Sequence, residues 1–401
     1  MDTSEVEDGG SVPDTHCLGG TPGEVENVTK WHEEYVDTLE AVGLELSFEG
    51  GVRSDRWLYV GRPRARCEQA VRAGVVFADL IPVDDREAWI AALEDVPHGF
   101  AHTWENCHAM AATSGRRTFL YRFDDGEVRA VCPLSEWPIG RYLDVVTPYG
   151  LSGFVGSGCI PSLPTHWSEQ ARARGYVSGY LLVNPVLGGE LGFGGEATHH
   201  KVLFVLDLRL PEDILFARLS ENRRRQVRRA DAASGALVTD REALTRFFVD
   251  TYPSFIARRD GATAFRLREG SMRELCASRN VLLIGAQQGG SIRAVSLFGF
   301  TQHAGDFLFH ASLPGEESWS AALIWAGVRA LRGLGVPSLN LGGGVAEGDS
   351  LAEFKRRFGA DQVSLRHIKQ VYRPNVYRAL CERAGVDPSQ RGYFPPYRSL
   401  P

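Results

Sequence analysis

The residues best suited to chemistry gather at three places in this 401-residue sequence. The densest group is Arg223, Arg224, Arg225, Arg228 and Arg229, inside Leu219–Ala230, a segment with a helical pattern. The pairs 224/228 and 225/229 stand four residues apart and share helix faces. In a chain of net charge −6 they make a local anion site for phosphates or an RNA backbone. The alternative is a solvated helix face; like-charge crowding mildly destabilises a helix and so favours function. The second group follows a strand-like Leu339-Asn340-Leu341 that runs into Gly342-Gly343-Gly344. Glu347 excludes a dinucleotide fingerprint and Asp349 excludes a phosphate-binding P-loop, so Gly343 is expected at a turn of close backbone approach. Beyond it, Phe354 and Lys355 sit on a predicted short helix, where the ammonium could stabilise an oxyanion or hold a phosphate; the alternative is an exposed lysine. In the third group, His310 ends a predicted strand ahead of a long helix, as a base or a structural histidine. Ser318 and Ser320, at that helix's start, cap it or bind an anion.

Tyr149, in the loop Thr147-Pro148-Tyr149-Gly150, is expected to line a pocket. His98, His102 and His108, near Cys107, lack the spacing and carboxylates of a metal site and are expected to be structural. No metal site is expected elsewhere.

The background composition is that of a globular protein, with 43% hydrophobic and 23% charged residues. Seven scattered cysteines without a CxxC fit reduced thiols. The acidic N-terminus has no apolar signal region, and no apolar run approaches a membrane span. A cytoplasmic protein without membrane insertion is expected; oligomeric state is not legible. Only Lys30, Lys201, Lys355 and Lys369 are lysines among 44 basic residues, so each stands out against a chain otherwise using arginine.

The elements that must position these residues come from a repeat. Gly126-Glu127-Val128-Arg129-Ala130-Val131 and Gly290-Ser291-Ile292-Arg293-Ala294-Val295 share the pattern G-x-[VI]-R-A-V. Each copy is the second strand of a predicted hairpin, the first turning at Asp124-Asp125-Gly126 and the second at Gln288-Gly289-Gly290. Each is followed by a strand, a helix and a strand: 142–146, 167–174 and 178–183, then 306–311, 318–334 and 338–341. A helix opening at Asp84-Asp85 precedes the first copy. Residues 1–29 read as a disordered acidic tail, a helix is predicted from Thr29, and 44–80 have no clear pattern. The expected organisation is a tail (1–29), a first α/β domain with an N-terminal extension (30–210), a basic helical connector (211–235), and a second α/β domain with a C-terminal tail (236–401). Each domain is expected to hold a mixed, mainly antiparallel sheet flanked by helices.

The Leu-Gly-Gly-Gly strand end, the Phe354-Lys355-Arg356-Arg357-Phe358-Gly359 stretch, the 219–235 helix and the Thr147–Gly150 loop resemble the FemAB-like branch of the GNAT acyltransferase superfamily. That branch includes BioF2-like acetyltransferase domains, and the resemblance covers about residues 80–375. It implies two tandem GNAT-like domains and transfer of an acyl group to an amine, forming an amide. Family members use aminoacyl-tRNA or acyl-CoA as cosubstrate, with no tightly bound cofactor. In the tRNA-using members a Phe-Lys pair lies at the reaction centre, which Phe354 and Lys355 match; the resemblance makes Lys355 the first candidate for stabilising the tetrahedral intermediate, and His310 is a candidate base by its position alone. Arg224, Arg225, Arg228, Arg229, Ser318 and Ser320 are the expected donor-binding residues, Tyr149 and Gly343 the expected acceptor-binding ones. The acceptor is expected to be a small-molecule or cell-wall-precursor amine. The GNAT pyrophosphate signature is missing at 315–322, so aminoacyl-tRNA is preferred to acyl-CoA as donor. An acyl-CoA N-acetyltransferase acting on an amino sugar or secondary metabolite, and a non-catalytic anion- or nucleic-acid-binding protein, are the alternatives.

Overall fold

The computed structural model describes residues 77–126, 128–157, 161–187, 191–193, 197–233, 236–259, 266–344, 348–390 and 392–399. The predicted tail, the helix from Thr29 and most of 44–80 lie outside the described residues.

Thirteen strands form one sheet. The first half supplies β1 (Phe77–Pro82), β2 (Thr118–Asp124), β3 (Arg129–Ile139), β4 (Tyr142–Val146), β5 (Val155–Gly156) and β6 (Ser178–Val183). Then come β7 (Ala197–Asp207), β8 (Leu237–Val238), β9 (Val281–Gln288), β10 (Ser291–Thr301), β11 (Ala304–Ser312), β12 (Ser338–Gly343) and β13 (Asp361–Val371). The helices are α1 (Arg86–Leu93), α2 (Trp104–Ser114), α3 (Leu163–Ala173), α4 (Glu212–Arg218), α5 (Glu221–Ala232), α6 (Arg241–Ala257), α7 (Glu269–Ala277), α8 (Ser320–Gly333), α9 (Ser350–Arg356) and α10 (Pro374–Ala384).

The strand order is β1-β2-β3-β4-β6-β13-β7-β12-β11-β10-β9-β8, with β5 beside β3. The two hairpins of the repeat, β2–β3 and β9–β10, are antiparallel as predicted. Each half then adds a parallel pair, β4 with β6 and β11 with β12. The halves are joined by exchange: β7 leaves the first half to pair with β12, and β13 returns from the C-terminal part to pair with β6. β7 and β13 then pair with each other. The predicted boundary at 210 therefore follows a strand whose partners all come later in the chain. The connector forms two helices, because Leu219 and Ser220 adopt extended angles between α4 and α5.

Continuous apolar runs such as residues 281–284 and 203–206, buried throughout, fill both faces because successive side chains point to opposite sides. α8 and α4 cover one face of the second half over Leu282, Ile284, Phe298 and Leu339. α6 and α7 cover the other, over Leu283, Val295, Leu297 and Phe309. The first half is closed by α3 through Trp167 and by α1 through Trp89, both fully buried. The C-terminal tail docks on the first half, as its aromatic clustering suggests: buried Asp144 accepts from Tyr397 Oη at 2.7 Å and Arg398 Nε at 2.8 Å. Among the described residues no helix is long and apolar enough to cross a membrane.

Candidate functional site

The two parallel pairs differ in how far they hold together. In the first half, β4 pairs with β6 at Val145 and Val146, and the chain beyond keeps bonding to β6. Thr147 N–H donates to Tyr180 O at 3.3 Å and Phe154 N–H to Leu182 O at 3.2 Å, so the gap is stitched shut. In the second half, β11 meets β12 only at Gly305/Leu339 and Asp306/Asn340. Residues 307–312 and 341–343 then diverge, and of the predicted site residues His310 and Gly343 lie on those diverging ends.

Lys355 sits on α9, which opens with the Asp349 side chain accepting from Ala352 N–H at 2.7 Å. Its buried side carries Ala352 and Lys355; its outer side carries Glu353, bonded to Arg356 and Arg357. Those two partners hold the Glu353 carboxyl down at about 2. Lys355 is only 3% exposed, and its Nζ donates to Gly343 O at 2.7 Å. A buried ammonium needs such an acceptor. Gly343 is a point of close approach, as predicted: a Cβ there would lie 2.6 Å from Val202 O and 3.3 Å from Lys201 Cδ. Two of the chain's rare lysines thus meet one glycine.

Phe354 is held from outside. The Arg223 guanidinium lies 4.2 Å from the Phe354 ring centre and 5.6 Å from that of Phe358. Arg223 is buried, donates to Gln226 Oε1 at 2.7 Å, and has its pKa pushed down by burial and then by Arg357. Gly359, at φ 72°, ends the segment against Arg218, whose carbonyl a Cβ would meet at 2.6 Å. Ser220 N–H donates to Arg357 O at 2.9 Å. The break between α4 and α5 is thus the seat on which the Phe-Lys segment rests. The sequence signal that sets Arg223 apart from the other arginines is its helical spacing from Val227 and Ala230, with which it shares the buried face of α5.

The other arginines divide. Arg224 is bound internally, donating to Ala217 O at 2.9 Å and Leu219 O at 2.7 Å. Arg228 is exposed and stacks its guanidinium 5.3 Å from the Phe216 ring. Arg225 and Arg229 are exposed as well. None of Arg225, Arg228 and Arg229 has a carboxylate partner among the described residues, so they are not a face neutralised by acids. α5 packs against α8 and the short 3-10 turn Glu317–Trp319. That contact brings the arginine helix to exposed Ser318 and to Ser320 at the start of α8.

His310 lies inside β11, two residues short of its end. Its Nδ1 is 3.0 Å from Ser296 Oγ and its Nε2 3.0 Å from Ser320 Oγ. Burial, then the charge of Arg259, pushes its pKa down to about 3. The ring is neutral near pH 7 and a poor proton acceptor; it ties β10, β11 and α8 together. The unfolded chain, with an ordinary histidine, takes up the proton first as pH falls. His310 therefore supports the fold fully above about pH 6.5 and progressively less toward pH 3, by up to about 1.4 kcal/mol per pH unit. His310→Gln is expected to flatten that acid loss in denaturant melts between pH 4 and 7; parallel wild-type and variant curves would contradict this.

Tyr149 reaches across from the first half and stacks on Phe309, centroids 6.2 Å apart. It therefore stands beside the diverging end of β11. Of the three histidines, His102 is buried between Gly99 N–H and Gly153 O, with burial and His98 pushing its pKa down to about 3. His108 bonds Glu274 across the halves at 2.5 Å. Among the described residues no group of three His, Cys, Asp or Glu side chains is arranged for a metal. Of two cavities of about 310 Å³, one lies away from these residues at Glu212, Asp231 and Arg329, and the other, at Tyr252 and Arg266, adjoins Phe309, whose ring centroid is 5.5 Å from that of Tyr252.

Two α/β units in tandem, each an antiparallel hairpin followed by a parallel strand pair in one mainly antiparallel sheet flanked by helices, are what this topology defines. The fold is similar to that of FemX, with a TM-score of 0.56 at 13% identity, covering 76% of this chain and 99% of FemX. It is also similar to a conserved protein of unknown function from Bacteroides thetaiotaomicron, with a TM-score of 0.50 at 10% identity over 74% and 100% of the two chains. A tandem GNAT protein from the clavulanic acid biosynthesis pathway gives a TM-score of 0.37 at 11% identity, over 73% and 98%. No protein-family model matches the sequence, and no curated protein matches it.

Proposed function

We propose that this chain is an N-acyltransferase that forms an amide bond beside Lys355, with charged tRNA as the preferred acyl donor. The observation that carries the reading is the buried Lys355 ammonium, held at Gly343 where β12 leaves β11, in a fold similar to that of FemX. The nitrogen lone pair of a neutral acceptor amine attacks the donor's ester carbon, forming the C–N bond. The carbonyl electron pair moves to oxygen, and Lys355 stabilises that oxyanion. Collapse breaks the ester bond, and the leaving ribose oxygen takes up the proton the amine loses. An aminoacyl ester is already reactive, so positioning supplies much of the rate, and His310 is given no proton to carry. Phe354, clamped by Arg223, fixes the lysine; Tyr149 and Gly343 border the acceptor, a small-molecule or cell-wall-precursor amine.

Arg225, Arg228 and Arg229 support a polyanionic donor, since they are exposed without acidic partners; Arg224 serves the helix junction instead. Charged tRNA at low salt is expected to raise the melting temperature, and the effect should fade as salt rises. Arg225→Glu with Arg229→Glu should weaken tRNA binding and reduce its salt slope by about 1.4 to 1.8, two phosphate contacts' worth. One feature favours the acyl-CoA alternative: α8 begins at Ser320 next to the diverging strands, and a helix start suits a pyrophosphate. Stabilisation by CoA esters alone would make CoA the donor. Binding of either ligand without turnover would support a non-catalytic binder.

A further inference from the structure

Three aromatic rings in the first half are each covered by two guanidiniums. Trp137 lies between Arg398 at 4.0 Å and Arg116 at 4.4 Å. Phe119 has Arg117 at 5.2 Å and Arg174 at 5.7 Å. Tyr142 has Arg141 at 5.1 Å and Arg373 at 5.8 Å. All three sets fall at one edge of the sheet, where β2, β4 and β6 begin and β3 and β13 end.

The charges there are unbalanced. Only Arg117 and Arg398 have carboxylate partners among the described residues, and those partners, Glu136 and Asp144, are buried. Arg117, Arg141, Arg174 and Arg373 are exposed. Desolvation and then Arg398 push the Arg116 pKa down. A concentration of cation beside a chain of net charge −6 is an electrostatic site for a polyanion.

We infer that this edge is an RNA-binding surface. Guanidiniums layered on aromatic rings offer both a phosphate partner and a flat face on which an unpaired base stacks. A membrane is the less suited polyanion. The one exposed large hydrophobic among the described residues is Ile214, on α4 in the second half, so no exposed aliphatic side chain that could insert into a bilayer accompanies the charge.

The location joins this surface to the reaction centre. β13 runs antiparallel to β6 and to β7, and β12 antiparallel to β7. The strand starts of the first half therefore point to the same side of the sheet as the ends of β11 and β12, with Gly343 level with Leu203 and Val363, eight residues along β13 from Val371 at the arginine–aromatic edge. From β12 to β4 is four strand steps and to β3 five, about 19 to 24 Å across the sheet, and the eight residues along β13 add about 26 Å at right angles, so the edge lies about 33 to 36 Å from Gly343. At about 3.4 Å per stacked nucleotide, an RNA strand ending at Lys355 reaches the arginine–aromatic edge about ten nucleotides back. The inference names the donor carrier for the proposed acyl transfer and rests on that reading for its direction, with the acylated end at Lys355.

The test is fluorescence anisotropy with a labelled RNA hairpin carrying a single-stranded 3′ end of about twelve nucleotides, long enough to reach the edge unpaired, titrated from low to high salt. Wild type is compared with Arg141→Glu/Arg174→Glu/Arg373→Glu, with the corresponding triple lysine variant, and with Lys355→Met. The charge-reversed protein is expected to bind at least tenfold more weakly, with a salt slope smaller by about 2. The lysine variant should keep the slope and lose affinity by a few fold, as stacking is lost, which also guards against misfolding of the first variant. Lys355→Met should bind RNA as wild type does whether or not it transfers acyl groups, so failure of the transferase reading is separately visible. Unchanged RNA affinity in the charge-reversed protein would overturn the inference. So would binding of phosphatidylglycerol vesicles, in parallel titrations, with no binding of the hairpin.

Discussion

Lys355→Ala is expected to reduce acyl transfer about 10²- to 10³-fold, the usual loss when one oxyanion donor is removed. The size follows from burial: at 3% exposure, water is poorly placed to replace the ammonium. The same burial raises a structural cost, because Gly343 O loses its donor, worth about 1–3 kcal/mol for a buried group left unsatisfied. Lys355→Met separates the two effects, since it keeps most of the volume and removes the charge. Both variants should retain donor affinity and lose turnover, with rates compared at temperatures where each is folded. Lys355→Arg keeps the charge but brings a larger planar fork, and is expected to recover only part of the rate. A kcat within a few fold of wild type in folded Lys355→Met would leave the lysine as a strut for the Gly343 turn.

Phe358→Ala is expected to destabilise the protein by about 3–5 kcal/mol, as for other fully buried phenylalanines. Phe358 is completely buried, meets Phe354 edge-on at 5.5 Å, and lies under Arg223. Its removal takes away the floor of the Phe-Lys segment and part of the aromatic surface over which a desolvated guanidinium is stabilised. Denaturant titration should show a lower midpoint, and turnover should fall more than the folded fraction does, because Phe354 loses its support. Phe358→Leu fills more of the space and should cost less. Equal midpoints for Phe358→Ala and wild type would mean that this segment is not packed as described.

The hairpins of the repeat were legible because their information is local: alternating apolar residues interrupted by Asp-Asp-Gly or Gln-Gly-Gly. β4 was predicted at its observed limits, and α8 within two residues. The exchange of β7 and β13 was not legible. Both strands carry apolar residues suited to a sheet, but their partners lie up to about 190 residues away, Val371 opposite Ser178, and nothing local states which edge a strand will join. At the site, the rarity of lysine pointed to Lys355, and the Phe-Lys resemblance gave it a role. That its ammonium turns inward onto Gly343 depends on the α4–α5 break and on Gly359, which bring distant segments together. The arginine cluster was visible as charge; its division into Arg223 inside, Arg224 bound to carbonyls, and the remainder outside needed helix packing. The arginine–aromatic edge was invisible for the same reason, since its members come from residues 116 to 398.

The most direct test supplies labelled aminoacyl-tRNA or labelled acyl-CoA, each with a pool of primary amines, to wild type and to Lys355→Met. Amide product is followed by mass spectrometry. The account predicts amide formation by wild type, from aminoacyl-tRNA in preference to acyl-CoA, and a loss of at least 100-fold in the variant, in line with removal of one oxyanion donor. Equal product from both proteins, or none from either donor with folded wild type, would contradict it.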